Sequence, residues 1–274
     1  MNLSFEVAEE RCAGCGLCVT DCLPHVLEMY HGHPRVGAGR EDACYQCQHC
    51  FTICPEGAVS ILGLRPEDSE ALPASFDAAN LELLIKARRS VRQYQEKNLD
   101  PDLLQHLLEV AWHSPTGANS RQVRFTVVDD RAKLARFRSE VLAALARLVR
   151  AGGLPAGQER FADFVRLWVE DGVDVLFRGA PHLIIASVPK AVATPLPDCM
   201  IALSSFDLVA QAHGVATLWD GLATIAIRDL VPETCKTLGI PDDHLLGYAM
   251  LFGKAAVTYA RTAQHPNPLV HRMA

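Results

Sequence analysis

With 274 residues, 49% hydrophobic and 21% charged, the chain has the make-up of a folded protein with a sizeable core, too long for one ordinary small domain. A formal net charge of −6 without a basic run excludes a nucleic-acid partner, whose phosphates require a clustered Lys/Arg face. No segment approaches the roughly 20 apolar residues of a bilayer span, and the first seven residues lack a basic stretch leading into an apolar one, so a cytoplasmic protein with no membrane partner is expected.

Eight of the ten cysteines fall within the first 54 residues: Cys12, Cys15, Cys18 and Cys22, then Cys44, Cys47, Cys50 and Cys54. Each member of the second set stands 32 positions after its counterpart (44 − 12, 47 − 15, 50 − 18, 54 − 22), an internal duplication. The x2, x2, x3 spacing lets three thiolates on one tight loop converge on a cubane while the fourth reaches the other cluster. One [4Fe–4S] cluster is therefore expected on Cys12, Cys15, Cys18 and Cys54, the second on Cys44, Cys47, Cys50 and Cys22. The alternatives are a zinc site or disulfides; structural zinc sites, however, pair two C-x2–4-C knuckles rather than runs of four. His49, between Cys47 and Cys50, reads as a polar neighbour able to tune a cluster. Residues 3–7 and 58–62 alternate enough for short strands.

With Pro55 directly after Cys54, residues 3–62 closely resemble the bacterial two-cluster ferredoxins; the one departure is Leu23 between Cys22 and Pro24. The resemblance implies strands paired across a pseudo-twofold axis and an electron conduit. Clusters move single electrons, so the segment needs an acceptor.

Residues 63–79 are rich in Pro, Ser and acids without an apolar period and are expected to link two domains, 1–62 and 80–274. From Leu81 a helical period leads into Arg88-Arg89-Ser90-Val91-Arg92, which reads either as a phosphate receptor or as a solvated cationic helix end. A helix is predicted over 101–112, with Asp100 as N-cap and Pro101 at its first position. The loop Ser114-Pro115-Thr116-Gly117-Ala118-Asn119-Ser120 follows, either a place for a planar ligand to approach the backbone or a plain helix–strand connection. Further on come a strand over 124–128, helices over 131–150, 158–176 and 198–213, and strands over 182–187, 215–219 and 245–252. This order suggests an α+β domain with a central mixed sheet flanked by helices.

Arg88 through Arg92, Ser114 through Asn119, Arg178-Gly179-Ala180-Pro181, Ala212 through Gly221, and Gly253-Lys254 through Tyr259-Ala260-Arg261 together resemble the FMN-dependent nitroreductase family in order and spacing. The resemblance implies a homodimer with FMN at the subunit interface. Arg88, Ser90 and Arg92 would hold the phosphate and ribityl chain, with Arg261 near the phosphate. From the other subunit Pro115, Thr116, Gly117 and Asn119 would line the isoalloxazine, while Trp219, Asp220 and Gly221 would place backbone near flavin N5. The departures are Arg121-Gln122-Val123, Gly253-Lys254-Ala255 and His265, which bear on the substrate more than on the flavin.

No side chain is assigned catalysis, the chemistry belonging to the flavin. Cys199, Cys235, His182 and His213 read as structural. Gly37-Ala38-Gly39 precedes no helix and is not a dinucleotide fingerprint, so NAD(P)H would stack on the flavin directly or be dispensed with. The expected enzyme passes electrons from a low-potential donor, such as a redox protein, through two clusters and FMN to a small planar acceptor such as a nitroaromatic or quinone. The alternatives are another acceptor (an enone or halogenated phenol), a non-catalytic electron carrier or redox sensor, or a zinc-stabilised interaction module.

Overall fold

The structure is a computed structural model in which residues 3–273 are described. They fall into two compact units, residues 3–76 with 118–120, and residues 77–117 with 121–273.

In the first unit β1 (Glu6–Val7) is followed by α1 (Leu17–Thr20), β2 (Leu27–Tyr30), β3 (His33–Val36), α2 (His49–Thr52) and β4 (Val59–Ser60). The two apolar alternations of the sequence meet as the antiparallel pair β1–β4, whereas the hairpin β2–β3 lacked a sequence signal. The duplication is written into the backbone. α1 and α2 begin 32 residues apart (49 − 17), and left-handed residues recur at the same offset: Gly14 with Gln46, Gly16 with Gln48, His25 with Gly57. Cys18, Cys50, Leu27, Phe51, Val59 and Ile61 form the small core.

The second unit opens with α3 (Ala78–Ala87), capped by Asp77, and α4 (Pro101–Trp112), where the Asp100 carboxylate accepts from Asp102 N at 2.9 Å as its N-cap position requires. Then come β5 (Arg124–Val128), α5 (Arg131–Arg150), α6 (Arg160–Asp171), β6 (His182–Pro189), α7 (Pro195–Ala212), β7 (Ala216–Trp219), α8 (Gly221–Ile225), a π-helical turn Ala226–Leu230, α9 (Thr234–Thr237) and β8 (His244–Gly253). The sheet runs β5-β6-β8-β7. Its four strands pair antiparallel throughout, where the sequence suggested a mixed sheet; the parallel component is the isolated bridge Ser90–Thr217.

β6 and β8 read as apolar runs because helices cover both faces of the sheet. Leu183, Ile185, Ala249 and Leu251 join the core beneath α5 and α6; Ile184, Ala186, Met250 and Phe252 join the one beneath α4 and α7. His182 lies fully buried with Nε2 accepting from Leu99 N at 2.9 Å and Nδ1 without a partner, and burial lowers its pKa.

Between Ala186 and Ser187 the register of β6 against β8 slips, leaving Gly247 as the extra residue of a bulge. A Cβ there would sit 2.3 Å from Cys199 Cβ and 3.2 Å from Ala186 O. Gly247→Ala is therefore expected to destabilise the second unit by about 3 kcal/mol, read as a fall in the urea midpoint; an unchanged midpoint would mean the bulge relaxes freely.

Candidate functional site

In the first unit the cysteines sort by proximity rather than by sequence. Cys22, Cys44, Cys47 and Cys50 line one pocket together with Tyr45 and His49. Burial pushes the Cys50 thiol up to about 12, and Cys22, Cys44 and Cys47 add to the rise. Cys18 is likewise raised, first by burial and then by Cys54 and Cys15. Four sulfurs gathered so closely repel one another as anions and need a cationic body among them to be held as thiolates. Among the described residues no three His, Cys, Asp or Glu side chains converge on a single ion. Backbone amides already point at two sulfurs, Gln46 N at Cys44 Sγ (3.3 Å) and Ala58 N at Cys54 Sγ (3.2 Å). Cys12 is half-buried and Cys15 exposed. His49 Nδ1 meets Asp21 Oδ2 at 3.0 Å, joining α2 to the end of α1.

In the second unit α3 stops at Ala87, and Arg88–Arg92 runs on as extended chain against β7. Val91 N donates to Thr217 O (2.9 Å), and the Tyr94 hydroxyl to Val91 O (2.8 Å). Arg89 Nη1 donates to Arg88 O, and Arg92 Nη1 to Ser90 O. Two guanidinium nitrogens, Arg88 Nη1 and Arg89 Nη2, are buried without a protein partner. Buried cationic donors left unpaired are costly and await an anionic oxygen, which favours the phosphate-receptor alternative for this segment.

Trp219 and Asp220 follow directly at the end of β7, with Gly221 opening α8. The Asp220 carboxylate caps α8 through Oδ1 to Ala223 N at 2.9 Å, while Oδ2 is buried and unpartnered. Burial raises its pKa to about 7, against the opposing pull of the Ala223 and Leu222 amides and of Arg178. Trp219 packs edge-on against Tyr248 at 5.4 Å.

The Ser114–Gly117 loop is pinned from two sides. Gly117 N donates to Asp198 Oδ1 (3.0 Å) near the start of α7, and a Cβ on Gly117 would strike the Thr194 hydroxyl at 2.0 Å. Arg121 donates to the Trp112 carbonyl (2.6 Å) and its backbone N–H to the Thr116 hydroxyl (3.0 Å), so this departure from the family pattern braces the loop. Pro115 is exposed. Asn119 belongs to the first unit, where its amide donates to Tyr45 O at 2.9 Å. Arg261 lies on the exposed C-terminal segment.

Sequence reasoning missed Asp207. It lies on α7, only 3% exposed, and accepts from the Thr217 hydroxyl through Oδ1 and from Trp219 Nε1 at 2.8 Å through Oδ2. A signal existed: Asp198 and Asp207 are the only charged residues in α7.

Comparison with known proteins agrees with this layout. The 4Fe-4S dicluster domain model matches residues 11–59, and the Nitroreductase family model matches residues 85–254. Nitroreductase NfnB of Mycolicibacterium smegmatis is 29% identical over 202 residues, covering 65% of this chain and 84% of that protein. A nitroreductase with bound FMN from Desulfitobacterium hafniense DCB-2 superposes with a TM-score of 0.53 at 27% identity, over 68% of this chain and 94% of that one. A nitroreductase with bound FMN from Bacteroides fragilis gives a TM-score of 0.56 at 23% identity, over 70% and 98% of the two chains, a likeness of fold. The chain belongs to the nitroreductase family and joins to it an N-terminal 4Fe-4S dicluster domain.

Proposed function

We propose that the protein is an FMN-dependent oxidoreductase in which residues 1–62 carry two [4Fe–4S] clusters, 63–79 form a linker, and 80–274 bind FMN and reduce a small planar acceptor such as a nitroaromatic or quinone. The bound flavin supplies the conversion between single electrons and pairs. Cys12, Cys15, Cys18 and Cys54 would hold one cluster and Cys44, Cys47, Cys50 and Cys22 the other.

The observation that carries the flavin reading is the pair of buried, unpartnered guanidinium nitrogens on Arg88 and Arg89 beside β7. Arg88, Ser90, Arg92 and Arg261 bind and orient the phosphate and ribityl chain, while Trp219, Asp220 and Gly221 present backbone to the ring edge. Pro115, Thr116, Gly117 and Asn119 line the ring from the second subunit of a homodimer. The exposed apolar side chains of α3, Leu81, Leu83 and Ile85, suit a surface covered by that second copy. Electrons arriving from a redox-protein donor through the clusters make NAD(P)H dispensable.

Protein purified without oxygen is expected to contain about eight irons, eight sulfides and one FMN per chain. Reduced by a low-potential donor, it should transfer electrons to a nitroaromatic faster than a variant lacking the cluster cysteines. Zinc without iron, or equal flavin reduction in that variant, would refute the path.

A further inference from the structure

The Arg88 segment and Trp219 are far apart in sequence, yet one side chain touches both. Besides the Thr217 hydroxyl and the Trp219 indole, the Asp207 carboxylate faces Arg88, whose Nε lies 3.7 Å from Oδ2, an ion pair beyond hydrogen-bonding distance. Thr217 is itself the residue on which the arginine segment docks, through the bridge to Ser90 and the amide of Val91. Asp207 therefore sits where α7, β7 and the 88–92 segment meet.

A buried carboxylate is tolerated only when its charge is answered; here a hydroxyl, an indole N–H and a guanidinium answer it. An apolar side chain could fill the same space between α7 and β7 but would leave the Thr217 hydroxyl and the Trp219 indole N–H without their acceptor. What the carboxylate adds is direction. It takes the Nε edge of Arg88 and leaves Nη1 buried and unpaired, and it fixes the indole plane of Trp219 against Tyr248.

We propose that Asp207 is a positioning residue of the flavin site, its one carboxylate holding the Arg88 guanidinium and the Trp219 indole in fixed register so that the phosphate end and the ring end of FMN are gripped together. The inference rests on the placement of Arg88 and Trp219 in the FMN site proposed above.

The test is FMN titration of the flavin-free protein for the parent, Asp207→Asn, Arg88→Gln and the double variant, with 15N-indole spectra of the apoproteins. Asp207→Asn should weaken FMN binding about tenfold to a hundredfold, the range for charged hydrogen bonds. It should also shift the Trp219 indole resonance, and the double variant should lose less than the two single losses added together, because the Arg88 share of the Asp207→Asn loss is already gone while the Trp219 share remains. If Asp207→Asn binds FMN within twofold of the parent while Arg88→Gln does not, the Asp207 proposal falls and the site stands. If Arg88→Gln is also within twofold, the site assignment itself falls. Should Asp207→Asn not fold, Thr217→Val, which keeps the side-chain volume and removes one donor to Asp207, should weaken FMN about threefold or more; unchanged binding would overturn the proposal.

Discussion

Replacing Cys22 and Cys44 together by Ala should leave about four irons per chain, whereas replacing Cys22 and Cys12 should leave almost none. The reason is the crosswise grouping. Cys22 stands only four residues after Cys18 in sequence, yet it shares a pocket with Cys44, Cys47 and Cys50, and Cys54 joins Cys15 in raising Cys18. Loss of Cys22 and Cys44 therefore disables one set of four, and loss of Cys22 and Cys12 disables both. The second variant should also lose the fold of the first unit. Its core consists of a few side chains around Cys18 and Cys50, too little for a unit of this size to stand without a staple. Iron and sulfide analysis with far-ultraviolet circular dichroism checks both points; the reverse iron pattern would assign each cluster to the cysteines adjacent in sequence.

The stability of the second unit should fall as pH rises from about 4 to about 7, and Asp220→Asn should abolish that fall. In the folded chain burial raises Asp220 to about 7 from an ordinary 3.8. Between those values the folded state binds the extra proton, so folding is favoured at the acid end and the advantage is lost as pH rises through the folded pKa. The difference corresponds to on the order of 4 kcal/mol at full ionisation. The groups acting on Asp220 are few: Arg178 and the Ala223 and Leu222 amides favour the charge, Asp174 opposes it, and Tyr94 and Tyr248 are half-buried phenols whose own pKa values are raised. Asn at 220 can still accept from Ala223 N, so the α8 cap survives. All three tryptophans, 112, 168 and 219, lie in the second unit, so indole fluorescence in a denaturant series at pH 5, 6, 7 and 8 reports its unfolding. A profile equally steep in both proteins would show that another group is responsible.

Much of this architecture was legible in the sequence because it rests on local rules. The cysteine duplication needs only spacing, and α4 and α5 begin and end where their caps and apolar periods place them. The β2–β3 hairpin escaped because Pro34 inside the short run His33-Pro34-Arg35-Val36 argues against a strand. The sheet's antiparallel order escaped because β6 and β8, buried on both faces, show runs rather than a period. Asp207 escaped for a related reason. α7 packs apolar side chains on most of its circumference, so no polar face marks where a carboxylate turns inward, and its partners Thr217 and Arg88 are joined to it only by the fold.

The same helix sets a length. Asp198 tethers the Gly117 end of the loop near the start of α7, and Asp207 tethers the arginine segment and Trp219 nine residues later. At 1.5 Å per residue the two tethers are about 13.5 Å apart along the helix axis and half a turn apart around it. α7 thus works as a ruler. An insertion or deletion of one residue between positions 198 and 207 would rotate one tether by about 100° relative to the other, so the segment should tolerate substitutions of similar volume far better than any change in length.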